Sequence, residues 1–191
     1  MIVRKAVEAD RMVVADVILE AFIEEFQSFI NMYGHELVQT FMARSLRIEC
    51  FRILEVDDQV AGVLAVTDPK TRGLLLDKTF LRSHVGWLQS IMIILGMKEV
   101  TEELHLKEDT AYIEFVGIRN AFRGRGLGRA IMEAVLAEDV ASTFMLDVKD
   151  TNTPARRLYE SLGFTEWKRK RKFFLSLHQD VKEFIIMEYR K

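Results

Sequence analysis

Three of the ten glycines crowd into five residues, Gly124, Gly126 and Gly128, within the string Arg123-Gly124-Arg125-Gly126-Leu127-Gly128-Arg129. The cluster follows an apolar run, Ala111 to Ile118 (AYIEFVGI), that reads as a buried strand, and precedes a helical pattern from Leu127 to about Val140. At such a junction glycines let the backbone turn tightly and bring N–H groups against a ligand with no Cβ in the way. The start of a helix adds unpaired N–H donors and the positive end of a dipole, a combination that suits a pyrophosphate. Hydrogen bonds to charged groups contribute about 1.5–3 kcal/mol each, so three or four would supply much of a micromolar affinity. The string lacks the Gly-Lys-Ser/Thr ending of an ATP-hydrolysing loop. It also misses the last glycine of the dinucleotide fingerprint, where Arg129 or Ile131 stands, although Asp147 lies about twenty residues on.

The surrounding pattern sets the fold class. Strand, glycine turn, helix, strand (Thr143 to Val148) and short helix (Pro154 to Leu162) make a right-handed crossover, so part of the sheet is parallel. Upstream, Ile2 to Val7 reads as a strand, Asp10 to about Phe26 as one amphipathic helix and His35 to Arg47 as another. Phe51 to Val56 and Val60 to Thr67 read as a hairpin turning at Asp57-Asp58-Gln59. Downstream, Phe164 to Leu175 and Glu183 to Tyr189 close the chain as a strand pair. The result is an α/β (α+β) domain over 1–191, with a mixed sheet of about six to seven strands and a helical insert at about 69–110, before the fourth strand.

That insert carries an apolar stretch, Phe80 to Met97, and a charged tail, Lys98 to Asp109. Arg82, Ser83, His84, Gln89 and Ser90 interrupt the stretch. A charge inside a spanning helix costs about 2.5–3.5 kcal/mol, so the stretch reads as one buried or interface helix and no membrane is expected.

Composition excludes other classes. The chain is 49% apolar and 29% charged, too apolar for disorder. Its 27 basic and 29 acidic residues give no whole-molecule field for nucleic acid. The single cysteine, Cys50, excludes an internal disulfide framework and points to a reducing, cytoplasmic setting; MIVRKAVEAD lacks the apolar core of a signal peptide. No metal is expected: His35-Glu36-Leu37-Val38-Gln39 begins like the zinc-protease helix but ends in glutamine, and His84, His105 and His178 are scattered. Lys168 to Lys172 is five basic residues in a row, read as a solvated start to the sixth strand.

Arg123-x-x-Gly126-x-Gly128 resembles the Gln/Arg-x-x-Gly-x-Gly/Ala signature of the GNAT N-acetyltransferases. A second segment, Asn152-Thr153-Pro154-Ala155-Arg156-Arg157-Leu158-Tyr159-Glu160-Ser161-Leu162-Gly163-Phe164, looks like that family's N-x-x-A-x-x-L/F-Y-x-x-x-G-F, one helix and one strand downstream. The resemblance covers residues 111–164 and implies the GNAT fold. It also implies acetyl-CoA as co-substrate and direct transfer in a ternary complex to a primary amine of a small molecule or a protein. In this family the cofactor lies where the fourth and fifth strands splay. Val116, Gly117 and Ile118 would line its pantetheine arm. The amides of Gly124, Arg125, Gly126, Leu127, Gly128 and Arg129, beside the positive Arg123, would take the pyrophosphate. Asn152 would contact the cofactor arm, or cap the helix that Pro154 opens. Tyr159 would protonate the departing thiolate, or pack its helix with Leu158 and Leu162.

The chemistry asks for both an acid and, with some acceptors, a base. A phenol with a pKa near 10 can protonate a sulfur whose thiol has a pKa of about 8.5. Deprotonating a lysine-like amine at pH 7 costs roughly 4.6 kcal/mol, an α-amine only about 1–1.4 kcal/mol. Glu114, in an otherwise apolar strand, and Asp147, on the fifth strand, are the candidate bases; either could instead be an ordinary ion pair. Glu24-Glu25 with Phe22, Phe26 and Phe29 would flank the acceptor opening by the same resemblance, suiting a cationic amine with an apolar part. The insert would cover the acceptor site or form a homodimer interface. A non-catalytic acyl-CoA-binding module is the rival from another class, and a dinucleotide enzyme the remote one.

Overall fold

The computed structural model describes residues 1–97, 101, 106–171 and 183–191. Seven strands form one mixed sheet: β1 (Ile2–Lys5), β2 (Phe51–Val56), β3 (Gln59–Thr67), β4 (Thr110–Ile118), β5 (Thr143–Lys149), β6 (Thr165–Lys170) and β7 (Phe184–Arg190). Their order is β1-β2-β3-β4-β5-β7-β6, and every neighbouring pair is antiparallel except β4 with β5. The expected crossover supplies that parallel pair: α6 (Leu127–Leu136) joins β4 to β5, and α7 (Thr153–Ser161) follows β5. Asp57 and Asp58 both take positive φ, 50° and 58°, giving the mirror-image two-residue turn that matches strand twist between β2 and β3.

The sheet's period-two alternation divides the core into two layers. Leu54, Leu64, Ile113, Phe144, Leu146 and Val148 pack with α6 and α7 on one face. Phe51, Ile53, Val63 and Ala65 pack on the other with α1 (Arg11–Ala21) and α3 (His35–Ser45). Phe51, Phe144, Ile18 and Ile131 are fully buried, each such side chain contributing about 1.5–3 kcal/mol.

The helices differ from expectation in two places. The run from Asp10 to Phe26 is not one helix: α1 stops at Ala21, Phe22 leaves helical geometry at φ −116° and ψ 36°, and α2 (Ile23–Tyr33) starts after it. Phe22 sets its ring edge-on to Phe115 at 6.2 Å, a contact with β4 that helical periodicity does not reveal. Phe80 to Met97 is likewise two helices, α4 (Lys78–Val85) and α5 (Trp87–Gly96), separated by Gly86 at φ 77°, a left-handed conformation that glycine tolerates. Asp77 caps α4 by accepting the Phe80 N–H at 2.9 Å. Leu81, Val85 and Ile93 then bury against Phe29, Tyr33, Leu37 and Phe41 of α2 and α3.

Most of the charged tail after Met97, with His105, His178 and Lys172 to Leu175, lies outside the described residues. Among those described, no helix is long and apolar enough to cross a membrane. β6 is exposed along its whole length, so Lys168 to Lys170 lie on a solvated outer strand, where charge discourages further strand pairing.

Candidate active site

β4 and β5 pair only from Thr110↔Thr143 to Ile113↔Leu146. Beyond that rung each strand keeps its outer partner: β4 stays on β3 to Ile118↔Gly62, and β5 stays on β7 to Lys149↔Phe184. A gap therefore opens between Glu114–Ile118 and Asp147–Lys149. A bulge explains the divergence. Ala65 pairs with Glu114 and Val63 with Gly117, so Phe115 and Val116 face the single residue Leu64. Phe115 takes φ 53°, unusual for a residue with a Cβ, and is held there by the rings of Phe22 and Phe51 at 6.2 and 6.1 Å. Gly117 admits α1 to the strand: a Cβ there would stand 2.9 Å from that of Ala21. The three pantetheine candidates, Val116, Gly117 and Ile118, thus lie together along the opened edge.

The glycine turn sits at the same end of β4. Gly124 and Gly126 have φ of 76° and 75°, and nothing lies within 4 Å of where a Cβ would project from either. Residues 124–128 donate no backbone hydrogen bond among the described residues, which leaves a row of N–H groups at the start of α6. That open nest fits a pyrophosphate. Arg129 departs from expectation. Its N–H is taken by the Gly126 carbonyl at 3.1 Å, and its guanidinium reaches Glu133 and Ser161. Arg123 turns back to the Ile118 carbonyl at 3.2 Å, and Arg125 lies over the Phe122 ring at 5.3 Å. Gly128 is a packing residue as well, since a Cβ would meet Leu158 Cδ2 at 3.3 Å.

Tyr159, on α7, is buried among the residues under α6 and α7, with its ring 6.0 Å from that of Phe164. Burial first, and the negative charge of Asp147 second, push its pKa well above the ordinary 10.0, so the phenol keeps its proton. Asn152 caps α7, its side chain accepting the Ala155 N–H at 3.2 Å with Pro154 in the first turn. The helix-start reading of Asn152 is therefore realised.

The two carboxylates differ in their surroundings. Glu114 is buried and bound on both oxygens: Arg72 Nε donates to Oε1 at 2.6 Å and the Gly73 N–H to Oε2 at 2.8 Å. Burial raises the Glu114 pKa, while the Arg72 charge opposes that rise. Asp147 is half-buried at the mouth of the gap and accepts the Tyr112 hydroxyl at 2.8 Å. Arg72 also lies over the Tyr112 ring at 5.8 Å, so Arg72, Tyr112, Glu114 and Asp147 form one connected group. Sequence reasoning missed Arg72. The lone glutamate of β4 signalled that a buried cation must exist, but nothing in the spacing said which one. Glu25 of α2 pairs with Lys149 of β5, at the end of the strand that borders the gap.

The model for the acetyltransferase (GNAT) family matches residues 16–164. This chain belongs to the GNAT acetyltransferase family. The GNAT fold extends over the chain. The structure is similar to an N-acetyltransferase from Staphylococcus aureus Mu50, with a TM-score of 0.69 and 15% identity over 99% of this chain and 100% of that one. It is also similar to the ribosomal-protein-S18-alanine N-acetyltransferase from Escherichia coli, with a TM-score of 0.58 and 19% identity over 99% of this chain and 92% of that one. Shorter sequence matches reach proteins named as acetyltransferases. A mycothiol acetyltransferase from Thermobispora bispora is 51% identical over 55 residues, 27% of this chain and 19% of the relative. A 5-NmdU N-acetyltransferase from Pseudomonas phage PaMx11 is 32% identical over 72 residues, 38% of this chain and 50% of the relative. The matches thus span between about a fifth and a half of those relatives' own lengths.

Proposed function

We propose that this protein is an acetyl-CoA-dependent N-acetyltransferase that acts on a primary amine in a ternary complex. The observation that carries the reading is the coincidence, at one end of β4, of an unpaired strand edge and a row of unpaired amides starting α6. The amides of Gly124 to Gly128 suit the diphosphate, and the edge Val116–Ile118 suits the amide-bearing arm. Acetyl-CoA, when bound, supplies a thioester carbonyl for attack by the acceptor nitrogen. The chain's own groups supply the rest. Tyr159 carries a proton for the departing sulfur, which its raised pKa keeps in place. Asp147 faces the opening and is the better base, because Glu114 is committed on both oxygens to Arg72 and Gly73. Glu114 then braces β4 at the bulge.

The test is thiol release from acetyl-CoA with a panel of primary amines, comparing the wild type with Tyr159→Phe. The expected result is a fall in turnover of about 10²-fold or more with coenzyme A affinity unchanged, the usual range for a lost acid. Coenzyme A binding without transfer by the wild type to any amine would favour a binding module. No binding at all would end the reading.

A further inference from the structure

Arg119 and Asn120 lead from the opened edge of β4 toward the amide row, and α1 holds both. The Arg119 guanidinium donates through Nη1 to Glu20 Oε2 and through Nη2 to Asp16 Oδ2, each at 2.7 Å. Its Nε donates to the Val60 carbonyl at 3.0 Å. Glu20 uses its other oxygen, Oε1, to accept the Asn120 N–H at 2.6 Å. Asp16 and Glu20 stand four residues apart on α1, a like-charge pair that destabilises a helix on its own and is offset here by Arg119. Among the described residues, Glu20 alone of these two acids reaches the main chain of the connection.

The turn beyond depends on that hold. Asn120–Phe122 is a single helical turn with no fully buried residue, and only Phe122 of it packs against the core. Two main-chain bonds pass its position forward: the Arg119 carbonyl accepts the Phe122 N–H at 2.9 Å, and the Asn120 carbonyl accepts the Arg123 N–H at 3.2 Å, one residue before Gly124. On the strand side, α1 meets β4 at Gly117 through Ala21. One helix therefore sets both surfaces offered to the cofactor, the edge Val116–Ile118 and the amides of Gly124 to Gly128. Glu20 is its link to the second.

We infer that Glu20 is a positioning residue for coenzyme A: it holds the amide row at the distance from the strand edge that one bound cofactor must span. The inference rests on the acetyl-CoA reading. Glu20 acts through Asn120 and Arg119. Once the clamp is released the amide row is in place only part of the time, and the apparent Kd rises by the inverse of that fraction. A contribution to stability alone would be shared by Asp16, which pairs with the same guanidinium.

The experiment compares Glu20→Ala with Asp16→Ala. Alanine is the best helix former, so both variants keep α1. Calorimetry with coenzyme A should show a Kd roughly five- to tenfold higher in Glu20→Ala, the value for an amide row in place about a tenth to a fifth of the time. Asp16→Ala should stay within about twofold of the wild type, as for a partly exposed ion pair. In kinetics the acetyl-CoA KM should follow the Kd and the acceptor KM should not. Independently of turnover, amide hydrogen exchange of the peptide spanning 119–128 should be faster in Glu20→Ala without ligand, and saturating coenzyme A should remove the difference. Should Glu20→Ala not fold, Glu20→Asp, which keeps the charge and withdraws it by one methylene, carries the same expectation. An unchanged Kd in the Glu20 variant, or an equal rise in Asp16→Ala, overturns the inference while the acetyl-CoA reading stands. Failure of the wild type to bind coenzyme A defeats that reading, and the inference with it.

Discussion

Tyr112 donates its hydroxyl hydrogen to the Asp147 carboxylate at 2.8 Å, across β4 and β5 and just past their last paired rung. Burial and the neighbouring carboxylate push the Tyr112 pKa well above 10.0, so this phenol remains a donor at any working pH. The bond holds Asp147 at the opening where the strands part.

Tyr112→Phe keeps the ring beneath Arg72 and removes only the donor. The expected outcome is a fall in kcat/KM for the acceptor of about 5- to 20-fold, with a stability loss of about 1 kcal/mol from the missing hydrogen bond. Steady-state kinetics and urea denaturation on the same preparation check both. A stability loss with unchanged kinetics would remove Asp147 from the reaction.

Gly126→Ala places a Cβ on a residue at φ 75°. The left-handed conformation then costs roughly 1–2 kcal/mol, which a protein of this size survives. The Cβ projects into the open space that the pyrophosphate would fill, so calorimetry should show the coenzyme A Kd rising by about tenfold or more. Gly128→Ala meets the flexible end of Leu158 at 3.3 Å and the Ile118 side chain at 4.0 Å, and should change that Kd much less.

Arg72→Met leaves Glu114 buried without its cation. Breaking a buried pair in this way costs about 3–5 kcal/mol. The pH dependence has a definite sign. The folded-state pKa of Glu114 is already raised by burial, and losing Arg72 raises it further. Between the unfolded and folded values the native state holds a proton that the unfolded chain releases, so stability falls as pH rises through that window. The deficit of Arg72→Met against the wild type should therefore be smallest near pH 4 and larger at pH 7–8 in chemical denaturation. Arg72→Met with Glu114→Leu should recover much of it.

Asp10 gives the opposite sign. Arg4 binds both its oxygens at 2.7 and 2.9 Å and the Val7 N–H adds a third bond at 2.8 Å. The Arg4 hydrogen bonds foremost hold the Asp10 pKa below the usual carboxylate value. That stabilisation is complete above the unfolded value and is lost as pH falls through the folded one. Allowing for the partial exposure of Arg4, Asp10→Asn should cost about 1 kcal/mol at pH 7. Urea titrations at pH 7 and pH 3 should show the gap to the wild type narrowing at the lower pH.

Local chemistry was legible where it is short-ranged. The glycine turn, the Asn152–Pro154 helix start and the Asp57-Asp58 turn each follow from residues within a few positions of one another, and the β4-α6-β5 crossover follows from the order of such local segments. The breaks at Phe22 and Gly86 were not. An apolar run looks continuous to periodicity when the partner that bends it, Phe115 for Phe22, lies far along the chain. Arg72–Glu114 and Glu25–Lys149 span 42 and 124 residues, and a pattern of charges cannot choose among 27 cations at that range. The Phe115 bulge was hidden for the same reason, because its left-handed backbone is imposed by packing against a residue type that disfavours it.

Phe115 is also the residue that the ladder could do without. Val116 and Ile118 already point to one layer and Gly117 to the other, as they would directly after Glu114 in a flat strand. A variant lacking only Phe115 would keep those orientations while losing the kink, letting β4 and β5 zip together past Ile113. It would be a sealed version of the same sheet, without the ring contacts to Phe22 and Phe51 and with no slot left for a thioester.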